Sequence, residues 1–267
     1  MRVQVSVRAN MSEGGSALRL VLEMPAGWPD ALPGQFLMLH LGAGEVPRHD
    51  PLLPRPMAIY RTRRRAGEAG CQIEVLYKVV GRGTGLLSRL GTGDTLGAVG
   101  PLGRPFPLPD SGERSLLVGG GTGIASLYDL ARCCRDRGDV SVLLGAASRT
   151  DLMGLDDFAA LGVELRLASE DGSAGTRGLV TTLLEDALAA GAPARVYSCG
   201  PTAMMQRCAR IAEDAGARCY VSLENHMACG FGVCLGCAVP RAEQGFHLVC
   251  RDGPVFETST LDMAGLP

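Results

Sequence analysis

The chain reads as an α+β and α/β multidomain protein: an antiparallel β-barrel, a doubly wound parallel α/β domain, and a small C-terminal domain organised by cysteines. Three observations carry this reading. The first hundred or so residues alternate short β-type runs with Gly/Pro turns and show little helical periodicity, the pattern of a small barrel. From Ser115 the pattern changes to strand, glycine turn, helix, which implies a mostly parallel sheet with helices on both faces. Beyond Val221 the chain is loop-rich and cysteine-dense, too short to build a core without a staple.

In the first region, strands are expected at 2–7, 17–24, 36–41, 57–60, 73–80 and 94–97, punctuated by turns such as Ala26-Gly-Trp-Pro and Leu32-Pro-Gly. In the second, strands are expected at 115–118, 140–144, 163–168 and 195–199, with helices at 124–137, 179–190 and 202–215. The proline-rich stretch 105–112 reads as the linker, giving domains at 1–104, 113–222 and 223–267. The basic run Arg61-Thr-Arg-Arg-Arg65, followed by Ala66-Gly-Glu-Ala-Gly70, reads as a solvated hairpin tip.

A net charge of −2 gives no global electrostatic reason to bind nucleic acid or anionic lipid. No apolar run approaches the ~18 residues of a spanning helix, so no membrane partner is expected. The opening Met1-Arg-Val-Gln-Val-Ser-Val has no signal or lipidation pattern, and the expected compartment is the reducing cytoplasm. Cys71, Cys133, Cys134, Cys199, Cys208 and Cys219 show no grouping and read mostly as small buried hydrophobes.

Cys229, Cys234, Cys237 and Cys250 are different, because they form a C-x4-C-x2-C-x12-C array. That is the spacing with which plant-type ferredoxins hold a [2Fe–2S] cluster. Three sulfurs converge from one loop and the fourth arrives from a separate segment, while Gly230, Gly232 and Gly236 allow the loop to wrap. The alternative is a structural zinc site using the Cys234/Cys237 pair, although zinc ribbons use two such pairs and this array offers one.

Gly119, Gly120, Gly121, Thr122 and Gly123 follow the first strand of the α/β region, where a dinucleotide pyrophosphate would meet free N–H groups. The turn does not fit G-x-G-x-x-G, and no acidic residue lies ~20 positions on, so a structural glycine turn is the alternative. Glu170-Asp171 after the third strand could accept hydrogen bonds from a ribose or cap a turn. Ser148-Arg149 after the second strand could meet a 2′-phosphate. In the barrel, Arg55 at a strand start could pair with a phosphate or flavin oxygen, and Gly81, Gly83 and Thr84 could donate to a pyrophosphate; an ordinary strand end and turn is the alternative. His40, His49, His226 and His247 form no triad or metal spacing. His226 reads as a surface or structural residue, with a hydrogen bond near the cluster as its other role.

Taken together, Arg55-Pro-Met-Ala58, Tyr77-Lys-Val-Val-Gly-Arg-Gly-Thr84, Gly100-Pro-Leu-Gly-Arg-Pro-Phe106, Gly119–Gly123, Glu170–Ser173, Cys199-Gly-Pro201 and the cysteine array resemble the electron-transfer subunit of type B dihydroorotate dehydrogenase, within the ferredoxin–NADP reductase superfamily. The resemblance covers nearly the whole chain. It implies a barrel that holds FAD, an α/β domain that binds NAD, and a C-terminal [2Fe–2S] domain. By position, Arg55, Pro56, Met57, Ala58, Leu76, Tyr77, Lys78, Gly83 and Thr84 inherit the flavin contacts, and Cys199, Gly200 and Pro201 the neighbourhood of the nicotinamide. Ala58 departs from the usual serine of the flavin motif, and Ala125-Ser126 from the prolines that often follow the glycine turn.

The implied activity is that of an oxidoreductase subunit in pyrimidine biosynthesis, with no acid–base catalytic residue of its own. Electrons from a dihydroorotate-oxidising FMN subunit pass through [2Fe–2S] and FAD to NAD+, in an implied heterotetramer with that catalytic subunit. Two alternatives stand beside it: an NAD(P)H-dependent flavin/iron–sulfur reductase serving another partner such as a hydrogenase, and a zinc-stabilised binding protein without redox function.

Overall fold

The computed structural model describes residues 1–41, 51–64, 67, 69–191 and 194–267. His49 and residues 65, 66 and 68 of the basic segment lie outside this set. The barrel comprises β1 (Arg2–Gly14), β2 (Ala17–Met24), β3 (Phe36–His40), β4 (Arg55–Ala58), β5 (Arg61–Arg63), β6 (Cys71–Lys78), the short helix α1 (Arg82–Leu87) and β7 (Thr95–Leu102). Its seven strands run in the order β4-β3-β7-β1-β2-β6-β5, every pairing antiparallel. A 2.9 Å bond from Tyr60 N–H to the Glu74 carbonyl joins the β4–β5 turn to β6.

The two-residue period of β6 explains how the barrel meets its neighbour. Cys71, Ile73, Val75 and Tyr77 point into the barrel core. The alternate set, Glu74, Leu76 and Lys78, faces the second domain, and Leu76 packs in that domain's hydrophobic cluster.

That second domain contains β8 (Arg114–Gly120), α2 (Tyr128–Arg135), β9 (Val140–Ala146), α3 (Leu155–Ala160), β10 (Glu164–Ser169), β11 (Thr176–Arg177), α4 (Val180–Ala189), β12 (Ala194–Cys199), α5 (Thr202–Asp214) and β13 (Cys219–Ser222). β8 pairs in parallel with both β9 and β12, so the winding reverses at β8 and a crevice opens at its carboxyl end. The remaining chain adds β14 (Ala238–Pro240), β15 (Phe246–Leu248), α6 (Val249–Asp252) and β16 (Val255–Glu257). β16 pairs antiparallel with β13 and extends the same sheet. Arg104 N–H donates to the Gly253 carbonyl at 2.6 Å, and Gly230 lies so close to β3 that a Cβ there would come within 2.5 Å of Met38 Cγ. The cysteine segment is therefore sewn to the barrel and to the α/β sheet at once.

The structure corrects several sequence expectations. Arg61 is not on a solvated tip: it belongs to β5 and is buried, because Glu74 and Asp157 supply carboxylates that sequence proximity cannot reveal. Arg64 likewise bonds the Trp28 carbonyl at 2.6 Å. The expected helix at 124–137 is split into a 3-10 turn at Gly121–Ser126 and α2, since the glycines tighten its start. The helices α1 and α3 and the strand β5 are additional, each too short to show a period.

Candidate functional site

A cleft of 410 Å³ opens where the three regions meet. Pro56, Met57 and Ala58 come from β4, Leu76, Tyr77 and Lys78 from β6, and Thr84 from α1. Thr122 enters from the glycine turn, and Glu224 and Met227 from the segment leading to the cysteine array. The volume and the mostly apolar lining suit a small-molecule cofactor.

Of the sequence-selected barrel residues, Arg55 and Gly83 do not line this cleft but stack behind it: a Cβ on Gly83 would fall 2.9 Å from Arg55 Cδ. Arg55 Nη2 donates to the Leu53 carbonyl at 2.9 Å, while its buried Nε has no partner among the described residues. A buried guanidinium N–H without an acceptor is costly, and a bound phosphate or flavin oxygen is the kind of acceptor that satisfies it. Thr84 Oγ1 is occupied with the backbone N–H groups of Val80 and Gly81 at 3.0 and 3.1 Å, so it shapes the loop.

A second pocket, of 480 Å³, lies over the carboxyl end of β8. Gly120, Gly121 and Pro201 line it. Gly119, Gly123, Cys199 and Gly200 are not among its lining residues, although Gly200 packs against Gly120 and Met204, which are. Gly123 packs on the Cys199-Gly200 turn so tightly that a Cβ would lie 2.3 Å from the Cys199 carbonyl carbon. Burial, with the Glu224 carboxyl nearby, pushes the Cys199 thiol up to about 12 against the pull of Ser126 and Ser222, and the neutral thiol donates to the Ser222 carbonyl at 3.4 Å. Sequence reasoning missed Glu224, an exposed residue that lines the cleft. Desolvation on the cleft side raises its carboxyl pKa despite a hydrogen bond with Thr122. It also missed Asp151, Leu179 and Arg207 of the second pocket, since nothing in their local sequence marks them.

Lys78 lines both cavities, its Nζ 2.8 Å from Asp151 Oδ1. Burial opposes the charge of Asp151 only slightly, and hydrogen bonds from Lys78 and Ser148 hold its carboxyl below the usual range.

The four array cysteines fall into two pairs. Cys237 and Cys250 are buried, their sulfurs 3.3 Å apart, and Cys229 hydrogen-bonds to the exposed Cys234. Partial burial would raise the Cys229 thiol, but backbone N–H groups of Cys234, Phe231 and Val233 and the Cys234 side chain bring it down to about 6. Leu235 adopts φ 61°, a left-handed conformation that a non-glycine residue keeps only where the surroundings enforce it. Among the described residues no three metal-binding side chains converge on a single-ion position. Two thiol pairs are the donor set that a two-iron rhomb requires, and the inward N–H groups suit its charge. His226 bonds through its backbone N–H to Asn225 and is exposed.

Residues 224–262 match the family described as the iron-sulfur cluster binding domain of dihydroorotate dehydrogenase B, and residues 117–210 match the oxidoreductase NAD-binding domain. Among similar proteins is the dihydroorotate dehydrogenase B (NAD(+)) electron transfer subunit of Bacillus caldolyticus, 39% identical, covering 89% of this chain and 87% of the relative. A probable counterpart from Methanopyrus kandleri is 37% identical over 92% of this chain and 85% of its own. Among solved structures, one titled for flavin-based electron bifurcation by an NADH-dependent reduced ferredoxin-NADP oxidoreductase superposes with a TM-score of 0.83 at 29% identity, covering 98% of this chain and 91% of that one. A Neisseria gonorrhoeae ferredoxin NADP+ reductase with bound FAD and NADP shares the fold alone, with a TM-score of 0.62 at 18% identity over 84% of this chain and 94% of its own. With the two cavities and the paired cysteines, these likenesses replace the zinc alternative and make the chain a member of the dihydroorotate dehydrogenase B electron transfer subunit family.

Proposed function

We propose that this chain carries electrons from a dihydroorotate-oxidising FMN subunit to NAD+ in pyrimidine biosynthesis. The observation that carries the reading is the spatial order of the sites. Met227, two residues before Cys229, lines the barrel cleft; the cleft also holds Thr122 of the glycine turn; and Lys78 borders both the cleft and the second pocket. When bound, the [2Fe–2S] cluster supplies one-electron transfer and FAD the exchange between single electrons and a hydride for NAD+.

In this reading Cys229, Cys234, Cys237 and Cys250 hold the cluster. Pro56, Met57, Ala58, Leu76, Tyr77, Lys78 and Thr84 bound the flavin cleft, and Arg55, braced on Gly83, offers its free N–H to the flavin's phosphates. Gly119–Gly123 and Cys199-Gly200-Pro201 support the dinucleotide. Domain limits at 1–104, 113–222 and 223–267 accord with these three roles, with β16 anchoring the last region to the sheet of the second.

On the loop that carries the outer cysteine pair, Phe231, Val233 and Leu235 are between 55% and 73% exposed. Large apolar side chains held in water beside a redox centre suit a docking face for the catalytic subunit. Family resemblance supports a heterotetramer with that subunit. Ten free cysteines and the lack of any helix, among the described residues, long and apolar enough to cross a membrane accord with a cytoplasmic setting.

Anaerobic titration of the purified chain with NADH tests the reading. Flavin absorbance is expected to bleach and a paramagnetic signal of the reduced cluster to appear; a colourless, zinc-loaded chain would overturn it.

A further inference from the structure

The second pocket resolves a question that the sequence leaves open, namely which side chain decides between NAD+ and its 2′-phosphorylated counterpart. The charged side chains lining it, among the described residues, are Lys78, Asp151, Glu170 and Arg207. Lys78 and Asp151 neutralise each other at 2.8 Å. Arg207 is ion-paired with Glu185. Glu170 has no side-chain hydrogen bond or ion pair among the described residues, so its carboxylate is the uncompensated charge of the pocket.

The two other residues weighed from the sequence point elsewhere. Arg149 borders a separate cavity with Glu13, Arg19, Arg61 and Asp157, on the barrel-facing side. Asp171 spends its carboxylate on its own turn, its Oδ1 accepting from the Ser173 N–H at 2.9 Å and from the Ser173 hydroxyl at 2.6 Å. Next to Glu170, a 2.9 Å bond from Gly178 N–H to the Ser169 carbonyl fixes the rim and presents Leu179, 61% exposed, to the same pocket. An apolar platform beside a free carboxylate matches the adenine and ribose of an adenosine moiety.

We infer that Glu170 is the residue that selects an unphosphorylated adenosine ribose: it accepts hydrogen bonds from the ribose hydroxyls and repels a 2′-phosphate, while Leu179 supports the adenine. The selection has two parts. The carboxylate gains a hydroxyl donor only with the unphosphorylated ligand, and a 2′-phosphate, carrying about −1.5 to −2 charges, meets a like charge in a pocket whose lining cations, Lys78 and Arg207, are already paired. This rests on the assignment of the pocket to a nicotinamide dinucleotide.

Calorimetric titration of the intact FAD- and cluster-loaded chain with 5′-AMP and with adenosine 2′,5′-bisphosphate tests the inference without turnover. The unmodified chain is expected to prefer 5′-AMP by about tenfold or more at low salt, with the margin narrowing as salt rises. Glu170→Gln is expected to bring the two affinities within about threefold, and Glu170→Arg to invert the preference. Asp171→Asn is expected to leave the preference unchanged. A Glu170→Gln chain that keeps the full preference, or an Asp171→Asn chain that loses it, overturns the inference while the nucleotide pocket stands. Failure of the unmodified chain to bind either adenosine ligand overturns the pocket assignment itself.

Discussion

Tyr60 Oη donates a 2.8 Å hydrogen bond to Asp157 Oδ2, joining the β4–β5 turn of the barrel to helix α3 of the parallel-sheet domain. The carboxylate also receives Arg19 Nη2 at 2.6 Å and Arg61 Nη1 at 3.0 Å. Glu74 on β6 takes the other arms of both arginines, each at 2.7 Å, and Arg63 at 2.8 Å. Arg61 also lies over the Tyr128 ring of α2, 5.2 Å from its centroid. Two carboxylates thus fix the angle between the cavity that faces the barrel and the one that faces β8.

Removing Asp157 leaves one arm of each of two guanidinium groups, and a phenol, without the acceptor they share. Asp157→Ala is expected to cost about 2–3 kcal/mol, below the 3–5 of a fully buried pair because its side chain is 21% exposed. Tyr60→Phe is expected to cost about 1 kcal/mol. Urea unfolding of the two variants measures both; a cost under ~0.5 kcal/mol for Asp157→Ala would mean the lattice is ornamental.

The same carboxylate sets an acid limit. Burial alone would raise its pKa, but hydrogen bonds from Arg19 and Tyr60 and the charges of Arg19 and Arg61 outweigh it and hold the carboxyl below its usual value. A depressed folded-state pKa means that the contribution is present above the unfolded value of about 3.9 and is lost as pH falls below it toward the folded value. Stability measured between about pH 6 and pH 3 should therefore decline less steeply in Asp157→Asn than in the unmodified chain. Identical slopes would place the acid sensitivity elsewhere.

Arg55 should matter to flavin retention more than to folding. Its buried Nε has no acceptor among the described residues, and a charge-assisted hydrogen bond to a ligand is worth about 1.5–3 kcal/mol. Arg55→Ala is expected to weaken FAD binding about 10- to 150-fold, read from flavin released on dilution. Unchanged retention would remove Arg55 from the flavin's neighbourhood.

Much of this site is legible in the sequence because its parts are local. The cysteine array, the Gly119–Gly123 turn after an apolar strand and the Arg55 strand start each carry their signal within a dozen residues. The Arg61 lattice is not legible, since its partners Glu74 and Asp157 lie 13 and 96 residues away and a run of arginines looks the same whether solvated or paired. Glu224 was hidden for a similar reason: its importance lies in Thr122 and Cys199, brought to it by two parallel strands. Short elements such as α3 offered too few residues for a period to show.

The packing of the Gly119–Gly123 turn on the Cys199-Gly200-Pro201 turn is a sharper case. A methyl group at position 123 would meet the Cys199 carbonyl carbon at 2.3 Å, against backbone that cannot yield. Gly123→Ala is expected to destabilise the chain by about 1–3 kcal/mol and to weaken nucleotide binding together with it. A variant of unchanged stability and affinity would contradict the close approach of these turns.

The central claim is a relay from the cysteine array through the barrel cleft to the pocket over β8. Its most direct test mixes the anaerobically purified chain with a dihydroorotate-oxidising FMN subunit and follows NADH formation, beside the same mixture made with Cys229→Ser. The account predicts NADH formation that depends on dihydroorotate and disappears in the variant along with its iron. Continued NADH formation by the cluster-free variant, or none from a chain with FAD and cluster intact, would contradict it.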